Sequence, residues 1–196
     1  MSVSADLLAD LNPPQREAVE HAGGPLLILA GAGSGKTRVL AYRIAYLIRE
    51  RRVRPQQILA VTFTNKAARE MLERVERLLG GPIARGIWIG TFHHICSRIL
   101  RRHGDRVGIP KNFVIYDTDD QRTLLREVLA DAGLEERRFP PEVVLALIGR
   151  AKDEGLGPVE YAAQAENFFQ EAVARAYRGY QALLRERGAV DFDDLL

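Results

Sequence analysis

The stretch from Leu26 to Thr37 limits the possible folds of this chain more than any other segment. A continuous apolar run, Leu26-Leu27-Ile28-Leu29-Ala30, leads into Gly31-Ala32-Gly33-Ser34-Gly35-Lys36-Thr37. An apolar run of that length predicts a strand buried on both faces. From Lys36 to about Arg51 a helical pattern follows, with Val39, Ile44, Leu47 and Ile48 mostly on one side. The pattern Ala-x-x-x-x-Gly-Lys-Thr between a strand and a helix is the setting a phosphate-cradling loop requires. Gly33 and Gly35 let the backbone wrap closely, where a β-carbon would obstruct it. The amides of Ala32, Gly33, Ser34 and Gly35 then face an anion together with the helix N-terminus. Lys36 is placed to reach the β- and γ-phosphates of a bound triphosphate, and the Thr37 hydroxyl to hold Mg²⁺. Ala30 stands where the first glycine is usual, at the strand end rather than in the tight part of the wrap. The bland alternative is a glycine-rich turn with a chance Lys-Thr, and the flanking elements argue against it.

The surrounding pattern extends this into an α/β architecture. Leu11-Asn12-Pro13-Pro14-Gln15 reads as a helix start, with Asn12 as cap and Pro at the first helical position. Gly23-Gly24-Pro25 ends that helix. Ile58 to Phe63 predicts a second strand, and Thr64 caps a helix running to about Leu79. Ile87-Trp88-Ile89-Gly90 predicts a third strand, followed by a helix from about Thr91 to His103. Strands alternating with helices indicate a parallel sheet. Past Phe113 to Tyr116 the pattern becomes mainly helical, near 118–132, 140–153 and 167–187. Asp191 to Leu196 reads as the first turn of a further helix, with acids at its positive end, and the chain reads as stopping inside that element.

Composition adds bounds rather than identity. Over 196 residues the chain is 46% apolar and 28% charged, enough for a packed core without covalent staples. A formal charge of +2 does not mark a nucleic-acid binder, so any such site must be a local patch. Cys96 is alone and cannot form an internal disulfide. Neither a signal peptide nor a spanning apolar run is present, which predicts a cytoplasmic protein away from membranes.

The stretches Leu11 to Gln15, Gly31 to Arg38, Thr62-Phe63-Thr64-Asn65-Lys66-Ala67-Ala68, Gly90-Thr91-Phe92-His93 and Asp191 to Leu195 together resemble, in order and spacing, superfamily 1 DNA helicases of the UvrD, PcrA and Rep type. The resemblance covers essentially the whole chain. It implies an incomplete P-loop RecA-like parallel sheet over 1–104, an inserted, mostly helical subdomain over 105–188, and a return toward the ATPase subdomain over 189–196. It implies ATP and Mg²⁺ as cofactors, and single-stranded DNA and DNA junctions as partners. Repair or replication proteins are further implied partners, and the remainder of such a chain would lie beyond residue 196.

Residue roles follow from the same resemblance. Gln15 resembles the residue that reads the adenine edge, for which a side-chain amide has both donor and acceptor. Arg38 resembles the adenine-side arginine, whose flat guanidinium stacks. Thr62, Phe63, Thr64 and Asn65 resemble a motif facing single-stranded DNA, and Thr91 and His93 a second one. Phe63 is either a stacking face for a base or a core residue ending a strand. His93 rests on the resemblance alone, and His94 stands where the family commonly has Ser. Arg98, Arg101, Arg102 and Arg106 share one helix face, which is either a phosphate-contacting stripe or a solvated surface. Asp117 ends an apolar run as a metal-holding acid would, but Thr118-Asp119-Asp120-Gln121 looks like a helix start, so a cap is the simpler role.

A complete hydrolytic site needs a magnesium-binding carboxylate, a water-orienting group and a γ-phosphate arginine. In this family all three come from later segments. The expectation is a nucleotide-binding N-terminal piece of a 3′-to-5′ helicase, itself without efficient turnover. The alternatives are another P-loop NTPase, a helicase-nuclease subunit, or a non-catalytic nucleotide- or DNA-binding module.

Overall fold

The computed structural model describes residues 7–31, 33–81 and 86–196, and these form two compact units divided between Ile95 and Cys96. Among the described residues no helix is long and apolar enough to cross a membrane.

In the first unit, α1 (Pro13–Glu20) opens on a reciprocal cap. The Asn12 side chain accepts from the Gln15 amide, and the Gln15 side chain accepts from the Asn12 amide. Helix α2 (Lys36–Arg49) starts directly after Gly35. Strand β1 (Leu59–Thr62) leads through Thr64, which caps α3 (Asn65–Leu79) by accepting from the Ala67 amide. Gly80 ends α3 in the left-handed region at φ 75°, a conformation that suits glycine. Strand β2 (Trp88–Thr91) lies parallel to β1, with Leu59 opposite Trp88 and Thr62 opposite Thr91. Helix α4 (Phe92–His103) follows at once, its residues up to Ile95 belonging to the first unit and those from Cys96 to the second. The core packs Val39, Ala41, Ile44 and Ala45 of α2 against Met71 and Val75 of α3.

The expected first strand is a correction. Residues Leu26 to Ala30 form no strand, and Leu27 and Leu29 are 82% and 88% exposed. An extended apolar segment is held as a strand only by ladder partners on its flanks. The ladder of this unit consists of β1 and β2 alone among the described residues, and neither pairs with this run.

In the second unit, the short strand β3 (Val114–Ile115) pairs in parallel with β4 (Ala189–Val190). Between them run α5 (Thr118–Asp131), α6 (Pro141–Asp153), α7 (Pro158–Ala163) and α8 (Phe168–Glu186). Three of these match the expected helical stretches, whereas α7 was not anticipated. Leu124, Leu125 and Leu129 of α5 pack with Val144 and Ile148 of α6 and with Val173, Tyr177, Tyr180 and Leu184 of α8. Gly179 allows α8 to approach closely, since a β-carbon there would lie 2.7 Å from a Val128 methyl.

Two local expectations resolve here. Asp117 is a cap, accepting from the Asp119 and Asp120 amides, so the minor metal-holding reading is not needed to explain it. The segment Asp191 to Leu196 does not open as an α-helix. It makes a short turn of 3₁₀ type at Asp193–Leu195, and its acids are used internally. Asp191 Oδ1 accepts from the Asp194 amide at 2.8 Å, and Asp194 Oδ2 from the Asp191 amide at 3.1 Å. The free oxygens of the same two acids hold the Lys152 ammonium at 2.6 and 2.8 Å. The Tyr180 hydroxyl donates to Asp191 Oδ2, and Gln181 Nε2 to Asp194 Oδ1. Burial first, then the Asp191 charge, pushes the Tyr180 phenol far up, and burial raises that of Tyr177 to about 12.

Candidate phosphate-binding site and nucleic-acid face

The glycine-rich turn is built by two residues in conformations that L side chains rarely adopt. Gly33 has φ 76° and Gly35 has φ 89°. Gly35 is also spatially constrained, because a β-carbon there would sit 3.1 Å from Gln15 Nε2. Ser34 closes the turn by donating through Oγ to the Gly31 carbonyl at 2.8 Å. Ala32 lies outside the described residues. Lys36 is the first residue of α2, and Thr37 the second. The first amides of a helix lack intrahelical acceptors and carry the positive end of its dipole.

The Lys36 ammonium donates to the Ala30 carbonyl at 2.9 Å and the Gly31 carbonyl at 2.8 Å. No carboxylate pairs with it among the described residues. It is therefore parked on neutral acceptors of its own loop, which an anion can outcompete because charged partners bond more strongly. A cavity of about 310 Å³ adjoins the loop, lined in part by Gln15, Ala30, Gly31, Ser34 and Lys36.

Gln15 and Arg38 are anchored nearby. Gln15 Nε2 donates to the Ser34 carbonyl at 3.1 Å, so this residue joins the cap of α1 to the loop itself. Arg38 donates to the Asp10 carbonyl at 2.8 Å and lies over the Tyr42 ring at 5.4 Å. Both lie in the same unit as the loop, and each retains donor capacity beyond these bonds.

A second group of expected residues gathers at the carboxyl edge of the parallel ladder, where open α/β sheets receive ligands. Thr62 is buried, and its hydroxyl donates to the Thr64 carbonyl at 3.0 Å. Thr64 spends its own hydroxyl on the α3 cap, and Asn65 stands exposed at the first position of that helix. Thr91 Oγ1 accepts from the His94 amide at 3.3 Å, and His93 is half-buried. Phe63 is no core residue: it is 89% exposed. Its ring meets that of Phe92, which the sequence reading left without a role. The signal was available, because β1 and β2 both end in Thr and each Thr is followed directly by Phe.

The expected arginine stripe is broken at two places: Arg106 lies past the end of α4, in a 3₁₀ turn at Gly104–Val107, and Arg101 is tied inward. That side chain donates to the Lys111 and Phe113 carbonyls, at 3.0 and 2.7 Å, and stacks 4.0 Å from the centre of the Phe113 ring. It is an internal tie of the second unit, so a stripe containing all four arginines does not exist.

A parallel ladder in an α/β unit combined with a glycine-rich, lysine-bearing turn that starts a helix defines a class of α/β proteins. Comparison with known proteins narrows this class. Residues 11–196 match the family described as the UvrD/REP helicase N-terminal domain, and the chain belongs to that family. It is 52% identical over 196 residues to an ATP-dependent DNA helicase PcrA of Leuconostoc citreum, covering 100% of this chain and 26% of the relative. It is 51% identical over 194 residues to the protein of that name from Bacillus subtilis (strain 168), covering 99% of this chain and 26% of the relative. The chain thus spans about a quarter of the length of these curated relatives.

Proposed function

We propose that this chain is the ATP-binding N-terminal part of an ATP-dependent 3′-to-5′ DNA helicase or translocase. The observation that carries the reading is the loop itself. Left-handed Gly33 and Gly35, the open amides of α2 and the Lys36 ammonium all belong to one turn beside a cavity. That donor-only set fits the oxygens of a triphosphate. The Thr37 hydroxyl is the group of this turn suited to Mg²⁺, which when bound neutralises β- and γ-phosphate charge. Lys36 orients the same oxygens, and Gln15 and Arg38 flank the base. Residues 1–104 and 189–196 would belong to a RecA-like subdomain, with 105–188 inserted into it.

The exposed edge at Thr62, Phe63, Thr64, Asn65, Thr91 and His93 is read as the face for single-stranded DNA, at junctions undergoing repair or replication in the cytoplasm. Names of the relatives support the ATP-dependent helicase reading. Their greater length is compatible with a second lobe, which translocation needs to close over the nucleotide.

Phosphate release measured with and without single-stranded DNA tests the proposal. The expected result is weak ATP binding with almost no turnover in either condition. Motor-like turnover by this chain, stimulated by single-stranded DNA, would contradict it.

A further inference from the structure

Phe63 and Phe92 each directly follow the last residue of one of two neighbouring strands. Thr62 pairs with Thr91 in the parallel register, and each threonine is followed directly by a phenylalanine. Strand neighbours lie about 4.8 Å apart, so the ladder sets the spacing of the two rings. Their centroids are 5.8 Å apart and their planes are inclined by 46°. Phe63 is 89% exposed and Phe92 46% exposed. Isolated exposed apolar residues are ordinary. Two touching aromatic rings left in water at the ligand-binding edge of a sheet call for a partner with flat apolar faces.

We propose that Phe92 is a second base-stacking residue, so that Phe63 and Phe92 together form a two-ring platform for successive bases of a single strand. The spacing selects the strand's conformation. Stacked bases in a duplex rise about 3.4 Å per step, less than the 5.8 Å between these rings. Two bases seated on the two rings are therefore parted from each other and, given the inclination, splayed. A duplex cannot offer its bases in this way, and an unpaired strand can. The proposal rests on reading this edge as the DNA face, and it adds Phe92 to the contacts and an unstacked geometry to the bound strand.

The test compares Phe92→Leu and Phe63→Leu with the parent chain, with circular dichroism to confirm folding. Affinity is measured by anisotropy for labelled oligo(dT) and for the same strand made of abasic sites. Either substitution is expected to lower affinity for oligo(dT) about five- to tenfold and to leave affinity for the abasic strand unchanged. Phe92→Tyr, which keeps the ring face, is expected to restore the parent value. Equal losses on both strands would overturn the platform in favour of a framework role. Weakening by Phe63→Leu alone would remove Phe92 from it and leave the DNA face standing. No oligo(dT) binding by the parent chain would overturn the platform and the DNA face together.

Discussion

Replacing Lys36 with alanine is expected to reduce affinity for ATP by about 100-fold while leaving the fold and its thermal unfolding unchanged. Lys36 lies exposed at the start of α2, and its side chain contributes nothing to either hydrophobic core. Its present bonds go to the Ala30 and Gly31 carbonyls, which water can satisfy once the ammonium is gone. Stability therefore changes little. Binding changes much, because hydrogen bonds to charged groups are worth roughly 1.5–3 kcal/mol each and tenfold in affinity corresponds to about 1.4 kcal/mol. Lys36→Arg is expected to recover only part of the affinity, since a planar fork on a longer stem does not reproduce a compact ammonium inside a tight turn. Titration with a fluorescent ATP analogue, paired with a thermal melt, reads both halves. Unchanged affinity in Lys36→Ala would remove the loop from the nucleotide site.

The opposite separation is expected at Lys152. Its side chain is 7% exposed and that of Asp191 is 2% exposed, and the ammonium is shared between Asp191 and Asp194. Removing one partner of a buried ionic group leaves the others charged and uncompensated, which costs about 3–5 kcal/mol. Lys152→Ala leaves the Asp191 and Asp194 carboxylates, 2% and 13% exposed, without their shared cation. Denaturant unfolding followed by helical circular dichroism should show a loss of that size. Arg150→Ala serves as the control: its bond to Glu154 is exposed on the same helix, and its removal should leave stability nearly unaltered. Nearly equal effects of the two substitutions would show that the Lys152 cluster does not stabilise the second unit.

These two lysines also show where sequence reasoning succeeded and where it stopped. The turn at Lys36 was legible because its geometry is local: glycines, lysine and helix start lie within a few consecutive positions, and backbone geometry follows from residue type. Helices α5, α6 and α8 were legible for the same reason, through cap residues and apolar periodicity. Lys152 was not. Its partner Asp191 lies 39 positions away, and nothing in a charge pattern says which distant acid a helical lysine will meet. The acids of Asp191 to Asp194 were accordingly read as a helix start, when they close a turn around a buried cation.

Leu26 to Ala30 failed for a different physical reason. Apolarity declares what a segment needs, which is cover, and carries no information on whether a neighbouring strand exists to provide it. The exposed leucines record a need that these two strands do not meet. Phe63 was left between two readings, and its 89% exposure removes the core one. An aromatic ending an apolar run fits burial as well as display, and only its position past the last ladder pair separates the two. Arg101 was misassigned to a surface stripe because helical periodicity places a side chain on a face without naming what stands opposite, here the carbonyls flanking Phe113.

In the proposed function a single turn collects the anionic oxygens of ATP with amides and one ammonium. The direct measurement is an amide nitrogen–proton correlation spectrum recorded during titration with ATP and Mg²⁺. The amides of Gly33, Ser34, Gly35, Lys36 and Thr37 should shift first and furthest, saturating together. Stationary signals from those five residues while others move, or a spectrum that ATP leaves unchanged, would contradict it.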